Sequence, residues 1–271
     1  MKNDKSLGQH WLDSRVILNE IAIYAKRGVD EEFKRSDVDL CYAIPSLNKE
    51  GEGIETCLEI GPGLGTLTSS LLREFKKVIA VEYDKRLANN LPSSFPGKNL
   101  EVFHEDILAF DFSGIKGDYV VAGNIPYYVT SPIIEKVLTV ENKPKRVVLL
   151  IQQEVADRIV ARKETILSLF VKNRAKVWVG PIINREEFTP PPKVDSRVII
   201  FEPKAKPDVS DEVLKLAKIG FSSPRKKVIN NLAIKKPLAE LKEIFEKLDI
   251  DLSARPGDLT LNDWARLYLV V

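Results

Sequence analysis

The segment Glu55-Thr56-Cys57-Leu58-Glu59-Ile60-Gly61-Pro62-Gly63-Leu64-Gly65 decides the fold of this chain. Residues 55–60 have the apolar character of a buried strand, and residues 66–74 have the apolar spacing of a helix. The glycines between them let the backbone approach a ligand closely, and the first N–H groups of the helix can face that ligand. The unit therefore predicts an α/β fold that binds a nucleotide-like group, an arrangement that nicotinamide-dependent dehydrogenases also have.

Regular elements continue on both sides of this unit. The sequence predicts a helix before it, at residues 11–27, and strands alternating with helices after it. The predicted strands are residues 77–82, 100–104, 119–122, 146–151, 176–179 and 198–201. Because strands that alternate with helices form parallel sheets, we expect a Rossmann-like α/β sheet.

The pattern changes near residue 203. Beyond this point the apolar spacing is helical only, at residues 211–219, 226–233, 238–248 and 261–269. We therefore predict a first domain at residues 1–203 and a small all-helical domain at residues 204–271. Residues 28–53 are charged and rich in turn-forming residues, which predicts a segment inserted at the surface of the first domain.

Composition narrows the class of protein. The chain has 271 residues, two cysteines, two histidines and a formal net charge of +2. Cys41 and Cys57 supply no disulfide framework, and His10 and His104 are too few for a structural zinc site. No apolar run approaches the ~18 residues of a membrane span, and no signal-type apolar core follows Met1. We expect a cytoplasmic protein without metal or membrane attachment.

Positive charge is concentrated in one part of the chain. Residues 203–236 contain nine Lys and Arg against three acids, a balance of +6, whereas residues 237–271 contain four against seven, a balance of −3. One-sided charge is typical of a face that contacts phosphates, although a solvated helix face has the same composition. Arg225, Lys226 and Lys227 open a predicted helix in the basic part and are candidate RNA contacts.

Polar residues follow several predicted strands, and in open α/β sheets ligands bind beyond the carboxyl ends of strands. Glu82 comes 21 positions after Gly61, the separation at which an acid reaches ribose hydroxyls in nucleotide-binding units. Asp106 suits a hydrogen bond to an adenine amino group. Asn124 begins the turn Asn-Ile-Pro-Tyr, which has no role in hydride transfer. The combination favours an S-adenosylmethionine site that faces a second, nitrogen-bearing planar substrate.

The Asn-Ile-Pro-Tyr turn has the groups needed to hold an exocyclic amine on an aromatic ring. The Asn124 side-chain oxygen and a carbonyl before or within the Pro126 turn can accept the two N–H bonds of such an amine. Pro126 fixes its own φ and stiffens the loop, and the Tyr127 ring can stack on the base.

Taken together, these motifs resemble the ribosomal RNA adenine N6-dimethyltransferases, most closely those that act on the small subunit. The matching segments are Leu7–Leu12, Leu58–Thr68, Val81–Asp84, Glu105–Asp106, Gly123–Tyr127, Phe188–Ser196, Pro224–Leu232 and Ala254–Pro256. The resemblance covers nearly the whole chain.

The resemblance implies a role for each matching residue. His10 and Leu12 would lie near the methionine end of the cofactor, Gly61 and Gly63 against it, Glu82 on its ribose and Asp106 on its adenine. Asn124 would sit between cofactor and target, and Phe188 would stack on the target base opposite Tyr127. Lys193 and the residues Arg225–Lys227 would contact RNA.

Adjacent adenines near the 3′ end of small-subunit rRNA, in an assembling ribosomal particle, are the expected target, and we expect the enzyme to act as a monomer. The segment at residues 161–168 is shorter than the corresponding loop of the small-subunit group. It resembles the loop of the erythromycin-resistance enzymes, which modify one large-subunit adenine. Gln153 stands where the small-subunit group usually has Lys. The alternatives are a large-subunit rRNA dimethyltransferase, an rRNA-binding assembly factor without catalysis and, as a fallback, a nicotinamide-dependent dehydrogenase.

Overall fold

The computed structural model describes residues 10–29 and 53–271. The predicted insert at residues 28–53 therefore lies almost wholly outside the described residues, as does Cys41. The chain divides into two compact units, residues 1–156 with 177–203 and residues 157–176 with 204–271. The division after residue 203 coincides with the predicted boundary, but residues 157–176, which the prediction placed in the first domain, group with the helical unit.

A seven-stranded sheet forms the centre of the first unit. The chain's strands are β1 (Trp11–Leu12), β2 (Thr56–Ile60), β3 (Lys77–Glu82), β4 (Leu100–His104), β5 (Tyr119–Asn124), β6 (Arg146–Gln152), β7 (Ala175–Ile183), β8 (Phe188–Thr189) and β9 (Ser196–Pro203). The sheet has the strand order β4-β3-β2-β5-β6-β9-β7. From β2 the chain winds outward to β3 and β4, and from the adjacent β5 it winds in the opposite direction to β6. Doubly wound folds bind ligands at such a point, which here lies between β2 and β5.

Parallel pairing aligns the strands that matter for the site. Ile60 is opposite Val81 on β3 and also opposite Gly123 on β5. The sheet is mostly parallel, as predicted, but β9 runs antiparallel to β6, which the sequence pattern did not indicate. Mixed sheets of this kind are common in large α/β folds.

Helices cover the sheet because its central strands are apolar on both faces. The helices of the first unit are α1 (Arg15–Arg27), α2 (Thr66–Glu74), α3 (Lys85–Asn90) and α4 (Thr130–Thr139), and α5 (Gln153–Val160) spans the division between the units. The apolar faces of α1 and α2 join the sheet in one core cluster. Asp84 caps α3 by accepting the N–H groups of Arg86 and Leu87, as its position predicted.

The N-terminal segment departs from the predicted helix at residues 11–27. Helix α1 begins only at Arg15, because Trp11 and Leu12 form a two-stranded antiparallel sheet with Thr189 and Phe188. This pairing takes the backbone of residues 11–12 out of helical geometry.

The second unit is helical, as predicted, with a core of its own. Its helices are α6 (Ile166–Arg174), α7 (Asp211–Gly220), α8 (Val228–Leu232), α9 (Leu238–Lys247) and α10 (Leu261–Tyr268). Their buried side chains surround Trp264, which has no exposed surface. Helix α6 was not anticipated, because its buried positions include Ser168, Asn173 and Arg174, which hide its apolar face in the sequence. Within residues 10–29 and 53–271, no helix is long and apolar enough to cross a membrane.

Gly123 is a test of the close packing between β5 and β2. A Cβ atom at this position would lie 2.8 Å from the carbonyl oxygen of Ile60, a backbone atom that cannot move aside. We expect Gly123→Ala to lower the free energy of unfolding by about 1–3 kcal/mol in urea denaturation. Gly114→Ala is the control, since a Cβ there meets no atom within 4 Å. Equal losses in the two variants would contradict this account.

Candidate functional site

A cleft opens at the carboxyl ends of β2, β3 and β5. Its inner part is lined by residues that the sequence singled out together with aromatic neighbours: His10, Trp11, Gly61, Gly63, Glu82, Tyr83, Asn124, Pro126, Tyr127 and Tyr128. An adjoining part shares Gly61, Glu82 and Pro126 with it and continues to Asp106. The parallel register explains this convergence, because the residues that follow paired strand ends meet at one edge of a sheet.

Gly61 begins the loop between β2 and α2. Its φ is +64°, in the left-handed region that favours glycine, and a Cβ would meet no atom within 4 Å. The position therefore requires glycine for its backbone conformation, and the space beside it is open to the cleft. The Gly61 N–H donates to the carbonyl of Val81 at 2.9 Å, which ties the loop to β3.

Glu82 lies at the end of β3 with 6 % of its surface exposed. One carboxylate oxygen accepts the N–H of Gly63 at 3.0 Å, and the other accepts the N–H of Asp84 at 2.8 Å. Burial raises the pKa of Glu82, whereas these backbone hydrogen bonds oppose the rise. A carboxylate has about four lone-pair positions, so Glu82 retains acceptor capacity toward the cleft.

Asp106 lines the adjoining part of the cleft. It is exposed, and its Oδ1 atom accepts the N–H of Leu108 at 2.9 Å. This bond fixes the carboxylate at the start of a turn and leaves Oδ2 to accept a hydrogen bond from a ligand. Ile107 and Ile133 add apolar surface to this part of the cleft, which suits a flat heterocycle.

The side chain of Asn124 is oriented by the N-terminal segment. Its Nδ2 atom donates to the carbonyl oxygen of His10 at 3.0 Å. Because a side-chain amide has its donors on nitrogen and its acceptor on oxygen, this bond assigns Oδ1 as the end that can accept from a ligand. The carbonyl of Pro126 accepts the N–H of Val129 at 3.3 Å, which closes the turn.

Two rings lie face to face in the inner part of the cleft. The ring centroids of His10 and Tyr127 are 6.0 Å apart and their planes differ by 23°. His10 Nδ1 is 2.8 Å from the carbonyl oxygen of Pro190, and the Tyr127 hydroxyl is 2.7 Å from Ser196 Oγ. The Tyr127 ring is therefore held at its hydroxyl end, with its plane close to parallel with that of His10.

Two predicted site residues do not line the cleft. The side chains of Leu12 and Phe188 pack in the core of the first unit, with 0 % and 2 % of their surfaces exposed. They are opposite each other where β1 pairs with β8. Burial of both apolar side chains accounts for this position, so in this structure the Phe188 ring does not face the cleft beside Tyr127, and its stacking role stays a prediction.

The predicted RNA contacts are all at the surface. Lys193 is exposed on the Pro-rich loop of the first unit. Arg225, Lys226 and Lys227 are exposed in the second unit, directly before α8 rather than within it. The backbone beside them is fixed, because the N–H of Val228 donates to the carbonyl of Ala254 at 2.9 Å.

Sequence reasoning missed several residues of the site. Trp11, Tyr83 and Tyr128 add aromatic surface to the cleft, and each stands next to a residue that was predicted. Sequence reasoning also missed a buried acid next to the site: Glu59 lies one position before the end of β2 and is 1 % exposed. The sequence did contain a signal for this burial, because Glu59 stands between Leu58 and Ile60 in a strand predicted to be buried.

The fold and this cleft together define a class of protein. A doubly wound sheet with a glycine loop, a buried acid and an Asn-Ile-Pro-Tyr turn at its carboxyl edge is that of a Rossmann-like methyltransferase. A sequence profile described as "Ribosomal RNA adenine dimethylase" matches residues 1–271. The chain belongs to the ribosomal RNA adenine dimethylase family, and it is accordingly an enzyme that uses S-adenosylmethionine as its methyl donor.

Individual relatives agree with this membership. The chain is 33% identical to "Ribosomal RNA small subunit methyltransferase A" of Dehalococcoides mccartyi (strain CBDB1), over 99% of this chain and 88% of the relative. It is 34% identical to the protein of the same name from Mycoplasmopsis synoviae (strain 53), over 93% and 98%. The crystal structure of a dimethyladenosine transferase from Plasmodium falciparum has a TM-score of 0.72 and 30% identity, covering 96% of both chains. The 23S rRNA methyltransferase ErmE, with a TM-score of 0.70 and 22% identity over 96% of this chain and 98% of that chain, shares the fold.

The burial of Glu59 predicts a pH dependence of stability. Burial, with the neighbouring Glu82 carboxylate, raises the pKa of Glu59 to about 8. Since the unfolded carboxyl titrates near its ordinary value of 4.5, folding favours the protonated form, and its contribution to stability is lost as the pH rises toward 8. Thr68, through its hydroxyl and its backbone N–H, lowers this pKa but does not outweigh the effect of burial.

The free energy of unfolding of the native protein should fall between pH 5 and pH 8, whereas that of the neutral variant Glu59→Gln should lack this fall. We expect the difference between the two to change by roughly 3–5 kcal/mol over this range. Urea denaturation at both pH values measures this difference. Glu55→Gln, at an exposed position before the same strand, is the control and should leave the pH profile unchanged. Parallel profiles for Glu59→Gln and the native protein would contradict the assigned burial effect.

Proposed function

We propose that this enzyme dimethylates the N6 amino groups of two adjacent adenines near the 3′ end of small-subunit rRNA, within an assembling ribosomal particle. The proposal includes action as a monomer in the cytoplasm. The observation that carries it is the oriented amide of Asn124, which lines the cleft and whose Oδ1 end can accept a hydrogen bond from an amine there. Relatives at 33% and 34% identity that bear the name of a small-subunit rRNA methyltransferase support this choice of target.

The residues of the cleft fit the cofactor of the family. Glu82 would accept the ribose hydroxyls at lone pairs that Gly63 and Asp84 leave open, and Asp106 would accept the adenine amino group. Gly61 and Gly63 would bring backbone against the ligand. When bound, S-adenosylmethionine supplies an electrophilic methyl carbon on a sulfonium centre.

The N-terminal segment would complete the methionine end of the cofactor site. His10 lines the inner cleft and could contact a ligand there directly. Leu12 would contribute through its backbone, because its side chain is buried in the core.

Asn124 and the turn that follows it would hold the target amine. The lone pair of an adenine amine is delocalised into the ring, which makes the amine a poor nucleophile. Accepting its N–H bonds at Asn124 Oδ1 and at a backbone carbonyl would localise that lone pair and direct it toward the methyl group. The second acceptor would be a backbone carbonyl of the turn, either that of Ile125 or that of Pro126, which has a second lone pair beside the one that accepts from Val129.

Catalysis would then depend mainly on positioning. The amine becomes acidic only as it gains the methyl group, so no strong base is required before attack. Holding two reactants in alignment can supply ~7–11 kcal/mol of the barrier. A base inside a helix must leave its stack to reach such a cleft, and Tyr127 offers a ring on which it can stack.

The exposed basic residues would bind the RNA. Lys193, Arg225, Lys226 and Lys227 have the charge and exposure of phosphate contacts. Such contacts position an RNA without reading its sequence, so we assign target choice to the fit between the enzyme and the shape of the ribosomal particle.

The proposed reaction is testable with labelled S-adenosylmethionine and small ribosomal subunits from cells that lack this enzyme. The native protein should produce N6,N6-dimethyladenosine at two adjacent positions. Asn124→Ala should reduce kcat about 100-fold or more, because the amine is no longer oriented. Asn89→Ala, at an exposed position on α3, is the control and should keep full activity.

Each other outcome of this assay has a defined meaning. Modification of naked large-subunit rRNA instead of the small subunit would establish the large-subunit alternative. Binding of small subunits without turnover, with Asn124→Ala indistinguishable from the native protein in cells, would establish a non-catalytic assembly factor.

The role of the basic residues predicts a change in salt dependence. We expect Arg225→Gln with Lys226→Gln to weaken binding to small subunits and to reduce the slope of log K against log[salt] by about 1.5. Lys242→Gln with Lys247→Gln removes the same charge from exposed positions on the acidic part of the unit, and it should change the slope little. Equal slopes for the two double variants would refute the assignment.

A further inference from the structure

Ser196 lies behind the ring that is proposed to stack on the target base. It is the first residue of β9 and has no exposed surface. Its register partner is Gln152 at the end of β6, so its position is fixed by the sheet. The Ser196 Oγ atom is 2.7 Å from the hydroxyl oxygen of Tyr127, which places a rigid hydrogen-bond partner at the far end of that ring.

The Tyr127 side chain is thereby held at both ends. Its backbone follows Pro126, whose φ of −60° is fixed by the ring of the proline, and its hydroxyl is attached to the sheet. Without the second attachment, the ring could change its χ1 and χ2 angles within the open cleft. The parallel His10 ring, 6.0 Å away, indicates that the plane so fixed is one on which a flat ring stacks.

The surroundings of Ser196 favour a neutral hydrogen-bonded pair. The carboxylate of the adjacent Asp195 is occupied by the N–H of Arg185 at 3.0 Å, and the Asp195 carbonyl accepts the N–H of Gln153 at 3.0 Å. Burial raises the pKa of Tyr127, the hydrogen bond with Ser196 lowers it, and the charge of Asp195 raises it; the net direction is upward, which keeps the phenol protonated at neutral pH. A buried hydroxyl costs free energy unless it is hydrogen-bonded, so packing alone does not explain a serine here.

We propose that Ser196 is a positioning residue for methyl transfer, holding the Tyr127 ring in the plane in which it stacks on the target adenine. This inference rests on the proposed role of Tyr127 as a stacking surface. It does not require Ser196 to touch the RNA or the cofactor.

A double-mutant cycle tests this proposal, with Ser196→Ala, Tyr127→Phe and the two combined. Both single variants remove the same hydrogen bond, and Tyr127→Phe keeps the stacking ring. We expect each to reduce kcat on small subunits about 3- to 10-fold, with the affinity for S-adenosylmethionine, measured by calorimetry, unchanged within about twofold. The combined variant should be no slower than either single variant, because the bond is lost only once.

Ser70→Ala is the matched structural control. Ser70 is 3 % exposed, and its Oγ donates to Asn19 Oδ1 at 2.8 Å, away from the cleft residues. The Ser70→Ala variant should lower the melting temperature about as much as Ser196→Ala does, and it should leave kcat unchanged. A loss of kcat in Ser70→Ala would mean that stability alone explains the result, which would overturn the proposal.

Tyr127→Ala separates failure of this inference from failure of the proposed site. If Tyr127→Ala has native turnover, the stacking role itself is wrong and the inference falls with it. If Tyr127→Ala is slow but Ser196→Ala has native kcat, or if the losses in the combined variant multiply, Ser196 does not act through Tyr127 and only the inference is overturned.

Discussion

The parallel alignment of three central strands is the constraint on which the site depends. Ile60 of β2 is opposite Val81 of β3 and Gly123 of β5, so the next residue on each strand, Gly61, Glu82 and Asn124, arrives at the same edge. A shift of one residue in either pairing would turn alternate side chains to the opposite face. The hydrogen-bonded ladder and the close packing of Gly123 against Ile60 prevent that shift.

Two buried acids at this edge have different surroundings. Glu82 accepts two backbone N–H groups, which stabilise its carboxylate and leave it as an acceptor for a ligand. For Glu59, burial outweighs the opposing effect of Thr68 and favours the protonated form. Backbone donors oppose the effect of burial on a carboxyl group, so the two N–H groups at Glu82 favour its use as a charged ligand group.

The N-terminal segment connects parts of the site that are far apart in the chain. Asp13 and Thr189, 176 positions apart, are hydrogen-bonded through their side chains, and the same contact region places the His10 carbonyl on the amide of Asn124. An amide that could rotate would present donor and acceptor ends equally. The hydrogen bond that Asn124 donates to the His10 carbonyl therefore fixes which end of its amide can accept from a ligand.

Periodicity and local motifs by themselves determined most of the elements, the glycine loop and the residues at the strand ends, because parallel strands necessarily bring their carboxyl ends together. They missed helix α6 and the antiparallel direction of β9, since polar residues interrupt the first and strand direction leaves no mark on a buried apolar run. Only the tertiary structure decided that Leu12 and Phe188 are buried, that burial favours the protonated form of Glu59 and that Ser196 meets Tyr127. These outcomes depend on contacts between residues that are far apart in the chain. The free energy of such contacts comes from packing and desolvation, which a local stretch of sequence does not determine.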